Sequence, residues 1–129
     1  MALPSGSGSE ILRTAIKGTV SNSFLDLITV VNNHIYTIIS VTALEKDNIN
    51  THALNLTLYD GSADYYVLRD QSIPSKGTFI FNDKLVLNGP DLNALTSGTN
   101  NWKLRCKSAT AANSGGLCVI VSYLDQDWT

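Results

Sequence analysis

The chain has 129 residues, enough for one domain with its own core and no need of a metal or a lattice of disulfides. Hydrophobic residues make up 43%, charged residues only 16%, and the net charge is −2, which excludes the clustered basic surface that nucleic acid requires and leaves the surface to Ser, Thr and Asn. No apolar run approaches the roughly 20 residues of a bilayer-spanning helix, and Met1 to Ser9 lacks the basic start and apolar stretch of a signal peptide, so synthesis and folding in a cytoplasm are expected.

Residues 1–9 are small, polar and glycine-rich, the composition of a flexible arm. Glu10 to Val20 follows with Ile11, Leu12, Ala15 and Ile16 at helix-like spacing. The stretch is too short and too weakly capped for an isolated helix. It reads as an extended or partly helical segment that leans on its own domain or on a neighbouring subunit. Residues 1–22 are therefore expected to form an N-terminal arm and residues 23–129 the folded domain.

From Phe24 onward one strand follows another. Phe24 to Val31 is rich in β-branched and aromatic residues, and Asn32-Asn33 signals a turn. His34 to Leu44 alternates with Ile35, Thr37, Ile39, Val41 and Ala43 on one face and Tyr36, Ile38, Ser40 and Thr42 on the other. Ala53 to Tyr59 places Leu54, Leu56 and Leu58 inward. Asp60-Gly61 is a hairpin signal, because both residues tolerate positive φ. Tyr65 to Arg69 returns, and Ile73-Pro74-Ser75-Lys76-Gly77 turns again. Thr78 to Asn82 and Lys84 to Leu87 are short strands, and Asn88-Gly89-Pro90-Asp91 breaks the chain. Trp102 to Ser108 alternates Trp102, Leu104 and Cys106 against Lys103, Arg105 and Lys107, and Leu117 to Leu124 is a final apolar strand. Seven to eight strands punctuated by regular turn signals predict an all-β antiparallel β-sandwich, jelly-roll-like, with an extended N-terminal arm.

No catalytic constellation emerges. His34 and His52 have no nearby nucleophile motif such as GxSxG, and most carboxylates fall in turns, where Asp bonds its own backbone. Asp60-Gly61-Ser62-Ala63-Asp64 is a faint hint of an acidic ion site. No enzyme activity, cofactor or metal is expected. Cys106 and Cys118, 12 positions apart around Asn113-Ser114-Gly115-Gly116, are either buried free thiols or a disulfide across a hairpin, and a reducing cytoplasm favours the thiols. The Lys103, Arg105, Lys107 stripe suits an acidic partner surface or the protection of an edge strand. Tyr36, Tyr59, Tyr65, Tyr66, Tyr123, Trp102 and Trp128 serve either packing or a sugar platform. Trp128, near the end of the sequence, docks on its own domain or on a neighbour. Apolar residues on both faces of His34–Leu44 and Leu117–Leu124 point to self-association, as a trimer or another small ring.

The run Tyr66-Val67-Leu68-Arg69-Asp70-Gln71-Ser72-Ile73-Pro74, then Gly77-Thr78-Phe79, Lys84-Leu85-Val86-Leu87 before Gly89-Pro90-Asp91, and Val119-Ile120-Val121-Ser122-Tyr123-Leu124, resembles small β-sandwich virion proteins of tailed bacteriophages. Pro90 stands where that pattern has a bare Gly-Asp. The resemblance implies a part present in many copies on a particle. The expectation is a capsid decoration (cement) protein of the virion, made in the host cytoplasm, with itself and the major capsid protein as partners and neither nucleic acid nor membrane. A neck or tail component, or a carbohydrate-binding module of a fibre or baseplate, is the alternative. The expected interface residues are Ile11, Leu12, Ile16, Lys103, Arg105, Lys107 and Trp128.

Overall fold

The computed structural model describes residues 10–46, 52–89, 101–109 and 116–127. Among these residues nine strands follow one another: β1 (Glu10–Val20), β2 (Leu25–Thr29), β3 (His34–Glu45), β4 (His52–Tyr59), β5 (Asp64–Ile73), β6 (Thr78–Phe81), β7 (Leu85–Asn88), β8 (Lys103–Ser108) and β9 (Leu117–Asp127). Their pairing is that of one long hairpin rolled up on itself. The innermost turn joins β4 to β5 at Asp60-Gly61, where Gly61 has φ 98°. The Asp60 carboxylate accepts the backbone N–H groups of Ser62 and Ala63 and the Ser62 hydroxyl, each at 2.9 Å, which is the local chemistry that closes such turns. Moving outward, β3 pairs with β6 and β7, β2 with β8, and β1 with β9, all antiparallel.

Successive pairs of this hairpin fall alternately in two sheets. One has the order β1-β9-β3-β6, with β7 also on β3, and the other the order β2-β8-β4-β5. This nested order is a jelly roll. The core lies between the sheets, where Val41, Ile38, Val119, Val121 and Leu87 from one meet Leu54, Leu56, Leu104, Cys106 and Ile73 from the other, all essentially inaccessible to solvent.

Three features differ from the sequence reading. Glu10–Val20, expected to belong to an arm, is strand β1 and pairs with β9 from Glu10↔Gln126 to Lys17↔Val119. The sheet thus begins at Glu10 rather than near Phe24. Helix-like spacing in a short segment yields when β9 offers a full row of backbone partners. Residues 1–9 and Trp128 lie outside the described residues. In β3, the register against β9 shifts between Ile38 and Ser40. The extra residue, Ile39, is exposed, and Tyr36 and Ile38 join Val41 and Ala43 on the core face, where strict alternation had put them on opposite sides. Finally, β8 and β9 belong to different sheets, so no hairpin brings Cys106 opposite Cys118.

Both cysteines are buried and free, and burial pushes the Cys106 thiol up to about 12. Alkylation of the unreduced protein in denaturant should add two adducts to the intact mass. In the native state Cys106 should stay unmodified, since the reactive thiolate is scarce and enclosed. A mass two hydrogens short of the reduced chain with no adduct would reveal a disulfide instead.

Close approach fixes one glycine. A Cβ on Gly89 would sit 2.1 Å from the Val31 carbonyl oxygen, and the Gly89 N–H donates to the His34 carbonyl at 2.9 Å. The end of β7 is thereby held against the β2–β3 turn.

Candidate functional site

The outer face of the five-stranded sheet is the first candidate. Side chains directly opposite one another across an antiparallel pair share a face, so the registers define its rows. One row runs Ile16, Ile120, Thr42, Ile80, and another runs Leu12, Leu124, Thr37, Val86. Thr14, Ser122 and Ser40 lie between them. Leu12 is 73% exposed, Ile16 62%, Ile80 60% and Val86 50%. Strands about 4.8 Å apart and residues about 3.4 Å apart make the rectangle from Leu12 to Ile80 about 14 Å on a side. Within the registered rows the charged residue is Glu10, at the margin, which accepts from the Gln126 amide at 3.2 Å.

The outer face of the four-stranded sheet is the opposite in character. Lys103, Arg105 and Lys107 project from β8, which is flanked by β2 and β4 and so is an interior strand. The edge-protecting role therefore does not apply to them. Lys103 Nζ and Arg105 Nε each lie 2.9 Å from the Asp26 carboxylate, and Arg105 Nη1 lies 3.2 Å from Asp64. Partial burial pushes the Asp26 carboxyl up, and the hydrogen bonds from Lys103 and Arg105 outweigh it, holding the group below the usual carboxylate value. The Arg105 guanidinium sits 4.2 Å above the Tyr59 ring, Lys107 4.5 Å from the Phe24 ring and Arg69 4.2 Å above the Tyr66 ring. These cations are largely spent within the chain. Asp64 also accepts the Thr57 hydroxyl at 2.9 Å, and Asp60 serves its own turn, so the acidic residues of that loop are accounted for by local structure.

A third cluster ties β1, β3 and β9 together at one end of the sandwich. The buried Asp125 accepts from Arg13 Nε at 2.8 Å and contacts His34 Nδ1 at 2.6 Å, while Asp127 lies 3.6 Å from His34 Nε2. Tyr36 and Tyr123 pack beside it with ring centroids 4.8 Å apart. Burial pushes both phenols up. Tyr36 and Tyr123 are thus core residues, and Trp102 is partly buried against the core. Among the described residues, the aromatic side chains named as a sugar platform are dispersed over core and surface rather than gathered on one face.

Of the expected interface residues, Leu12 and Ile16 fall together on the uncharged face, Ile11 stands on the opposite side of β1 in register with Asp125, and Lys103, Arg105 and Lys107 lie on the other sheet. The sequence reading did not single out Ile80, Val86, Ile120 and Leu124. The apolar residues on both faces of β9 were the available signal for two of them.

No protein-family model matches this sequence, and no curated protein matches it significantly. Solved structures do match. A chain of the T13 viral particle of infectious bursal disease virus has a TM-score of 0.55 at 10% identity over 92% of this chain and 31% of its own length. A chain from the Gx strain of the same virus gives 0.51 at 12% identity over 95% of this chain and 37% of its own. A chain from the acid-stable capsid of Helicobacter pylori bacteriophage KHP30 gives 0.50 at 12% identity, covering 95% of this chain and 94% of that one. The fold is one found in viral particles. This chain spans about a third of the bursal disease virus chains and nearly all of the phage chain.

Proposed function

We propose that this chain is a structural, non-enzymatic component of a bacteriophage virion, a capsid decoration protein that lies on the shell in many copies and stabilises it through contacts with itself and the major capsid protein. The observation that carries this reading is the uncharged outer face of the β1-β9-β3-β6/β7 sheet. A monomer gains nothing from holding Leu12, Ile16, Ile80 and Val86 in water, whereas covering them gains about 25 cal/mol per Å². Exposed apolar patches of this kind on a soluble domain mark interaction sites. Among the described residues the only charge in the registered rows of this face is Glu10 at its margin; what the face can do is exclude water against a second apolar surface. The likeness of the fold to a chain of a phage capsid supports a place in a virus particle. A neck or tail position is the second reading, and copy number separates the two.

The test is re-addition of purified protein to particles that lack it. Replacing Ile80 and Val86 together by lysine, both on exposed positions, should weaken binding at least tenfold, about 1.4 kcal/mol, while Asp26→Asn on the opposite sheet binds like the unaltered chain. Equal binding by all three would remove this face from the contact.

A further inference from the structure

A sheet edge presents unpaired backbone N–H and C=O groups, and proteins blunt such edges with short strands, bulges and charges. Among the described residues, three of the four sheet edges are blunted. Strand β2 has five residues and its register breaks between Asp26 and Ile28. Strand β5 breaks register twice against β4, and Asp70 adopts φ 50° with its N–H donated to Asn55. Strands β6 and β7 have four residues each. The fourth edge, β1, stays in register with β9 from Glu10 to Lys17 and shifts only beyond Lys17. Its outer side has no strand beside it among the described residues. Arg13, a cation on this strand, is drawn to Asp125 rather than set against the edge, and the Gly18 carbonyl is taken by the Lys46 ammonium. What remains is a straight edge from Ile11 to Lys17, centred on Thr14.

We infer that β1 is the pairing edge of a two-fold dimer of this chain, with two β1 strands running antiparallel and Thr14 opposite its own counterpart. A two-fold axis perpendicular to the sheet keeps every side chain on its own face, so only residues of equal parity can meet. With the axis at Thr14, Leu12 of each copy faces Ile16 of the other on the outer side. On the inner side Arg13 faces Ala15 and Ile11 faces Lys17. Moving the axis to Arg13 sets two Arg13 side chains against each other, and moving it to Ala15 sets Arg13 against Lys17. Like charges directly opposite are destabilising. An axis at Leu12 leaves only five residues paired from Glu10, and one at Ile16 runs into the irregularity after Lys17. Charge and strand length therefore select one register.

The pairing has a consequence for the outer face. The row Val86, Thr37, Leu124, Leu12 of one copy continues into Ile16, Ile120, Thr42, Ile80 of the other. One surface without charge in these rows then spans eight strands, about 34 Å from the first to the last at the usual spacing. The contact is two-fold, where the sequence suggested a ring.

The dimer is tested on the isolated full chain, apart from any particle. Sedimentation equilibrium should give twice the 13.9 kDa chain mass. Opposed residues across an antiparallel pair have Cα atoms about 4.5–5.5 Å apart, within disulfide range, so mild oxidation of Thr14→Cys should give a covalent dimer. Leu12→Cys alone should not cross-link, whereas Leu12→Cys mixed with Ile16→Cys should. The unaltered protein, whose two cysteines are buried, is the control. The mixed pair also decides the matter if Thr14→Cys folds poorly. A monomer at high concentration would leave this edge to a strand of a different protein and overturn the proposal. A dimer in which neither Thr14→Cys nor the mixed pair cross-links would overturn it too.

Discussion

Removing residues 10–20 is expected to abolish cooperative folding. These residues supply the strand that covers one side of β9, an inner strand of the five-stranded sheet whose Leu117, Val119 and Val121 are buried in the core. Each ladder hydrogen bond contributes about 0.5–1.5 kcal/mol. Val20, fully buried, adds roughly 1.5–3 kcal/mol. Asp125, a carboxylate only 4% exposed, would lose Arg13, one of the two side chains that hold it; Arg13 itself is half-exposed, so that pair alone is a modest part. The sum is comparable with the roughly 5–15 kcal/mol that holds a whole domain together. Far-ultraviolet circular dichroism of the truncated chain should lose its β signature and its sharp thermal transition. Retention of both would show β1 to be an accessory strand and restore the reading of residues 1–22 as a detachable arm. Truncation of residues 2–9 alone should leave the melt unchanged.

The second large effect is expected at Glu45 and His52. Glu45 ends β3 in one sheet and His52 begins β4 in the other, both side chains fully buried, with His52 Nε2 2.8 Å from the Glu45 carboxylate. Removing one member of such a buried polar pair takes a partner from the other, a loss of about 1–3 kcal/mol for a neutral group. Glu45→Ala should therefore lower stability by about that amount in a denaturant titration. Replacing both by leucine should recover most of the loss, since well-packed apolar side chains are often as stable as the buried polar pair they replace. The pH dependence has a definite sign. Burial holds the His52 imidazole below its ordinary value of 6.5, so the unfolded chain takes up a proton before the folded one does. The stability it supports is complete above about pH 6.5 and is lost as pH falls through the lowered folded value. Between pH 7 and 5 the unaltered protein should lose more stability than the double leucine variant. Equal losses, or a Glu45→Ala effect within about 0.5 kcal/mol, would show that the pair is not a structural link.

How far the sequence reached follows from the range of the interactions involved. The Asp60-Gly61 turn, the Leu54, Leu56, Leu58 alternation and the polar-out pattern of Lys103, Arg105 and Lys107 are local, and each is visible within a few residues. The bulge at Ile39 is set by the partner strand, and nothing in His34 to Leu44 announces it. β1 was harder still. An edge strand with both faces partly in water need not alternate, so Ile11, Leu12, Ala15 and Ile16 imitate helical spacing. Arg13 with Asp125, separated by 112 positions, meets only because β1 and β9 close the roll. The cationic stripe was legible, but Asp26 and Asp64, which neutralise much of it, come from other strands. Leu12 and Ile16 were named from sequence; the face they belong to is assembled from five strands, and its lack of charge emerges only when their registers are known.

The proposed shell role is tested most directly by counting copies of this chain in virus particles purified from a culture that produces it, by mass spectrometry against labelled standards. Many copies, in fixed proportion to the major capsid protein, are the expected result. Absence from the particle, or a count that fits only a single ring at the neck or tail, would contradict it.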